Sequence, residues 1–82
     1  MNKEELIEKL KSIVEPYVQD QDAYQNLTEQ TDFINDLKIN SANLVDIVLD
    51  VEDAFDIEID NESMEKMLTV ANAVEIIQDK LS

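Results

Sequence analysis

Apolar residues recur at helical spacing in separate stretches of this chain, with a long polar passage between the first two. From about Asn2 to Val18, Leu6, Ile7, Leu10, Ile13, Val14 and Tyr17 share one face, with charges between them, the pattern of an amphipathic helix. Pro16 removes a backbone donor and crowds the turn before it, so regular helix should end or bend near Ile13 to Glu15. From Asp20 to Ile39, polar residues surround single apolar anchors at Leu27, Phe33, Ile34, Leu37 and Ile39. That predicts a long ordered connection pinned to the core, a kind of segment that often carries function. A second helix runs from about Ser41 to Phe55, with Asn40 or Ser41 as N-cap and Leu44, Ile47, Val48, Val51 and Phe55 as its core stripe. Ile57-Glu58-Ile59 alternates as a strand would, but it is short and has no partner of strand character, so it reads as a loop. Asn61 or Glu62 to Leu68 holds one or two helical turns, and Thr69 caps a last helix with Val70, Ala73, Val74, Ile77 and Leu81 along one side. Four helical segments without an internal repeat predict an all-α fold. It is a small four-helix bundle in a single domain, 1–82, with a long loop between helices one and two and a short third helix.

Composition narrows what such a bundle can do. At 82 residues the core only marginally offsets the chain entropy lost on folding, and a large enclosed active site is not expected. The 20 Asp and Glu against 6 Lys and no Arg give a net charge of −14, which repels phosphate backbones and anionic membranes. Nucleic-acid and membrane-surface roles are therefore disfavoured, and partners should present basic patches. An acidic chain can be disordered, but 44% apolar residues in periodic order argue that this one folds. Complete absence of glycine is unusual for any fold and has no evident reason in the pattern. With no cysteine the chain has neither disulfides nor a thiolate of its own, so any thiol must arrive on a cofactor. With no histidine it also lacks the side chain best suited to proton transfer at neutral pH, and catalysis by this chain alone is not expected. The N-terminus has no apolar run of signal-peptide length and no window approaches a membrane span, so the expected location is the cytoplasm; the chain is expected to be a monomer.

Charge is uneven along the chain. From Ile39 to Glu65 there is no Lys, while Asp46, Asp50, Glu52, Asp53, Asp56, Glu58, Asp60, Glu62 and Glu65 accumulate. Turning each residue of the second helix by roughly 100° leaves Val45 and Leu49 well away from the core stripe, on a sector shared with Ala42, Asp46, Glu52, Asp53 and Asp56. Scattered surface aliphatics are ordinary. An apolar centre ringed by like charges nevertheless describes a docking patch, in which charge steers the encounter and the aliphatic pair supplies the desolvated contact. Ala42, Val45, Asp46, Leu49, Asp50, Glu52, Asp53 and Asp56 are accordingly the candidate docking residues. Ser41 lies beside them, in Lys38-Ile39-Asn40-Ser41-Ala42-Asn43. Most serines at helix starts are merely caps. An exposed hydroxyl here could also carry a phosphate-linked group, because a helix N-terminus favours an anion through its open N–H groups and dipole, and nearby exposed carboxylates are screened over roughly 10 Å.

These features resemble the acyl carrier proteins, in which a serine opening the second helix bears a 4′-phosphopantetheine arm. The similarity runs from the first helix through Phe33, Asp36-Leu37, Ser41, Val45, the Glu52-Asp53-Ala54-Phe55-Asp56-Ile57-Glu58-Ile59 segment, Thr69-Val70 and the closing helix. It implies 4′-phosphopantetheine attached covalently to Ser41 by a phosphopantetheinyl transferase. It also implies acyl groups held as thioesters on the arm and presented to acyl-transferring and acyl-modifying enzymes of fatty-acid, polyketide or related biosynthesis, with no catalytic residue in the carrier. The family usually shows Asp-Ser-Leu where this chain has Asn40-Ser41-Ala42, and commonly glycine where Lys38 stands; the departures point to a specialised member with a dedicated set of partners. Peptidyl, aryl and D-alanyl carriers of the same fold are rival readings, as is an unmodified acidic interaction module. Asp56 to Met67 opens like a calcium loop, but Asn61 stands where glycine is needed and Met67 where a bidentate Glu belongs, so no metal site is assigned.

Overall fold

The computed structural model describes residues 2–81. Helix α1 spans Lys3–Val14; its N-cap, Asn2, accepts the Glu5 amide at 2.8 Å, and Glu4 and Glu5 in its first turn and Lys11 in its last complement the helix dipole. Pro16 ends it as its geometry requires, and the chain continues as a 3-10 turn, Glu15–Tyr17. The connection that follows contains a short helix, α2, over Gln21–Gln25, which makes five α-helices among the described residues rather than the four segments expected. No residue of α2 is fully buried, so it lacks the apolar stripe by which helices are read from sequence. It is held instead by its cap and one aromatic. The Asp20 carboxylate accepts the Ala23 amide at 3.1 Å, and the Tyr24 hydroxyl donates within 3.3 Å of the Lys11 carbonyl and 3.0 Å of the Glu15 carboxylate.

Beyond α2 the connection is pinned as its anchors suggest. Phe33, Leu37 and Ile39 are buried, and Leu27 and Ile34 are half-buried. The Asp32 carboxylate accepts the Ile34 and Asn35 amides, each at 2.8 Å, folding the segment into a tight turn. Paired backbone bonds, Phe33 amide to Leu68 carbonyl and Val70 amide to Thr31 carbonyl, tie that turn to the approach to the last helix. This is a single bridge between Asp32 and Thr69, and the described residues form no strand.

A 3-10 turn, Ser41–Asn43, leads into α3, Leu44–Phe55. Helix α4 covers Asn61–Lys66, capped by Asp60 through the Ser63 amide at 2.7 Å. Helix α5 covers Val70–Leu81, and the Thr69 hydroxyl accepts the Asn72 amide at 3.2 Å. The core gathers Leu6, Leu10 and Val14 from α1, Ile47, Val48, Val51 and Phe55 from α3, and Val70, Ala73, Val74 and Ile77 from α5 around the three loop anchors. Leu44 is only half-buried, and Leu81, expected on the core side of α5, is 44% exposed because the helix outruns the core at its last turn. Ile57 and Ile59 lie in a loop, half-buried against the core. Among the described residues no helix is long and apolar enough to cross a membrane.

Candidate functional site

Ser41 stands at the first position of the 3-10 turn, exposed, and its hydroxyl has no hydrogen-bond partner among the described residues. The capping role falls to Asn40, whose side-chain oxygen accepts the Ala42 amide at 2.9 Å. The Asn43 amide donates to the Asn40 carbonyl at 2.8 Å and the Leu44 amide to the Ser41 carbonyl. Two expectations change here. Regular α-helix begins at Leu44, not at Ser41, and the amides of Ala42, Asn43 and Leu44 are already committed, so they are not open donors for an anion. An asparagine offers the same cap as an aspartate without its charge, and between Asp36 and Asp46 the chain has no carboxylate. The surroundings of Ser41 thus fit a phosphodiester through exposure, an uncommitted hydroxyl and a local gap in the negative charge.

One turn further on, Val45 and Leu49 are 50% and 56% exposed, unlike Ile47, Val48 and Val51 on the opposite side of α3. The structure places Ala42, Asp46, Asp50, Asp53 and Asp56 on the surface of the same helix and its flanks, all exposed. Two acidic members have intramolecular work as well. Glu52 is half-buried, and its carboxylate accepts the Ile59 amide at 2.7 Å, fastening the loop after α3. Asp50 accepts the Tyr17 hydroxyl at 3.0 Å. That hydrogen bond, followed by desolvation and the charges of Asp50 and Asp46, raises the Tyr17 phenol above its ordinary range. Tyr17 and Asp50 are far apart in the chain, and no local pattern links them, so their pairing emerges only from the packing of α1 on α3. Asp56 ends α3 at a φ of 55°, its amide donating to the Glu52 carbonyl. Lys38, three residues before Ser41, is the other residue with positive φ, at 60°.

No family model matches the chain, but individual proteins do. It is 39% identical over 83 residues to the acyl carrier protein of Petrotoga mobilis, covering 100% of this chain and 94% of that one. It is 38% identical over 79 residues to the acyl carrier protein of Lactobacillus acidophilus, covering 95% of each. The solved acyl carrier protein of Enterococcus faecalis superposes with a TM-score of 0.79 at 31% identity, over 98% of this chain and 99% of that one. Near-complete coverage at this identity, on the same helical bundle, means that the chain belongs to the acyl carrier protein family. Its members are carriers rather than catalysts, carry a phosphopantetheine group and interact with biosynthetic enzymes.

Proposed function

We propose that this carrier holds acyl groups through 4′-phosphopantetheine on Ser41 and offers them to enzymes that dock on the exposed face of α3. The observation that carries the reading is the continuity of two features: the uncommitted Ser41 hydroxyl and, within the next two turns, the exposed Val45–Leu49 pair among carboxylates. Ser41 Oγ is the acceptor for the phosphopantetheinyl group of coenzyme A on a separate transferase: the Oγ–phosphorus bond forms as the pyrophosphate bond of coenzyme A breaks, adenosine 3′,5′-bisphosphate leaves, and the hydroxyl proton passes to the transferase or to water. Once attached, the group supplies the terminal thiol that a chain without cysteine lacks, and acyl groups join it as thioesters. The protein's own part is to fix the anchor, to keep Val45 and Leu49 on the surface by burying the opposite side of α3, and to steer basic partners by charge. Tethering raises the effective concentration of cargo at each docked enzyme, and docking centred on two aliphatic side chains is weak enough to release.

Intact mass tests the anchor. Wild type incubated with coenzyme A and a broad-specificity transferase gains one phosphopantetheinyl group, and Ser41→Ala, still folded, gains none. Loading of the variant, or of Ser12, Ser63 or Ser82, the last outside the described residues, in the wild type, would remove Ser41 from this role; no loading of either protein would favour an unmodified acidic interaction module.

A further inference from the structure

Six lysines serve this strongly acidic chain, and five of them have partners. Lys3 pairs with the Glu29 carboxylate, Lys66 lies 3.8 Å from Glu62 and Lys80 lies 4.0 Å from Asp60. Lys9 sits over the Phe55 ring and Lys11 over the Tyr24 ring, each 5.5 Å from the ring centre. Lys38 alone has no partner among the described residues, and it is exposed. It also occupies the left-handed region, at a φ of 60°. A residue with a Cβ is strained there, and lysine has no short polar side chain to offset the strain by a local hydrogen bond. Nothing among the described residues accounts for an ammonium group at this position.

The position itself supplies a reason. Lys38 precedes Ser41 by three residues, so the two Cα atoms are at most about 11 Å apart even in a fully extended chain, and the flexible lysine stem spans much of that. No carboxylate lies between Asp36 and Asp46 to compete for the ammonium. The amides of Ala42, Asn43 and Leu44, which could have received an anion, are committed to Asn40 and Ser41. An anion at Ser41 therefore finds its compensating charge on Lys38 rather than on these amides.

We propose that Lys38 positions the arm of this carrier: its ammonium pairs with the phosphodiester formed at Ser41 and holds the first bonds of the arm against the 3-10 turn. The proposal rests on the Ser41 reading above, and it makes Lys38 a positioning residue whose target is part of the same molecule, not of a docked enzyme. Pairing with one phosphodiester oxygen is within the reach of a lysine, which acts as a mobile point charge rather than as a fixed fork.

The test uses the loaded full-length protein. Wild type, Lys38→Gln, Lys38→Gly and, as a control, Lys66→Gln are modified with coenzyme A and a transferase, and intact mass verifies the single adduct. Phosphorus NMR then reads the phosphodiester directly. The expected result is that both Lys38 variants shift and narrow the resonance, as an anchored group becomes mobile, while Lys66→Gln leaves it unchanged. Wild type should move toward the variants at about 1 M salt, where charges are screened within roughly 3 Å. Two substitutions of different backbone preference separate the lost charge from a change in the loop. A resonance that ignores both Lys38 variants in fully loaded protein would overturn the proposal. So would an unchanged resonance accompanied by weaker binding of a partner enzyme, since the ammonium would then serve the partner. Failure of Ser41 to accept the adduct at all is read from mass alone, and it removes the Ser41 reading and this proposal together.

Discussion

The two flanks of α3 both carry the chain through positive φ without glycine, and they do so for different reasons. Past the C-terminal end, Asp56 takes a φ of 55°, its amide satisfies the Glu52 carbonyl, and the Glu52 carboxylate then reaches forward to the Ile59 amide. The Asp56 amide there closes the helix and the Glu52 carboxylate fastens the loop, and aspartate is among the residues that visit this region at modest cost. Ahead of the N-terminal end, Lys38 takes nearly the same φ, and neither its side chain nor the Ser41 hydroxyl that follows has a partner among the described residues. At the first flank a carboxylate, that of Glu52, secures the loop, whereas at the second only Asn40 is used as a cap and the Lys38 and Ser41 side chains are left without partners among the described residues. In a small domain whose core leaves little stability to spare, groups left uncommitted in a defined geometry are the ones to examine for function.

Truncating side chains on the two faces of α3 should give the largest difference. Phe55, 7% exposed and packed in the core, should lose about 3–5 kcal/mol on Phe55→Ala, as buried aromatics do. Leu49→Ala should cost well under the roughly 2 kcal/mol at which buried leucine losses begin, and Val45→Ala about 0.5 kcal/mol, as surface changes do. Affinity for a partner enzyme should follow the opposite order, Leu49→Ala losing most. Denaturant melts paired with binding measurements decide this, and equal destabilisation by Leu49→Ala and Phe55→Ala would mean that the outer face is not free to receive a partner.

Much of this division was legible in the residues themselves. A stripe at helical spacing separates Val48 and Val51 from Val45 and Leu49 without any structure, because the rotation per residue is fixed. Ser41 stood out by its place just ahead of that helix, beside the acidic face, and by the resemblance of its surroundings to acyl carrier proteins. What stayed hidden depended on contacts between distant residues or on competition for one donor. Helix α2 has no apolar stripe and is held by Tyr24 reaching back to α1. Which of Asn40 and Ser41 takes the cap turns on local backbone angles, and the answer decides whether the amides or a side chain must meet an anion. Leu81 fits the period of α5, but periodicity does not tell where the core stops.

Replacing the two positive-φ residues by glycine sharpens the contrast between the flanks. Lys38→Gly should stabilise the unmodified protein by up to about 1 kcal/mol, the roughly 1–2 kcal/mol that an L-residue costs in this region less the roughly 0.4–1 kcal/mol lost to the greater freedom of glycine in the unfolded chain. Asp56→Gly should gain less, since aspartate is already tolerated there. Thermal melts of both variants are sufficient, and a loss of stability in Lys38→Gly would show that the lysine has structural work after all.

Asp50 belongs to the middle of the helix, and its bond from Tyr17 should give the smallest effect, visible only as a pH dependence. The Tyr17 phenol is raised above its ordinary range, first by that hydrogen bond, so the folded state favours the protonated form more than the unfolded state does. The stabilisation from the bond is therefore fully present below the ordinary phenol value of about 10 and is lost as pH climbs through the raised one. Wild type should melt above Tyr17→Phe at pH 7, and the gap should close as pH rises past about 10. Titration of the lysines in the same range affects both proteins alike, so it cancels in the difference. Tyr24 is raised as well, chiefly by desolvation and then by its bond to Glu15, and it too is common to both. A gap that stays constant to the alkaline limit of the melt would show that the hydrogen bond contributes nothing in solution. Asp50 would then stand with Asp46 and Asp53 as a carboxylate free for a partner.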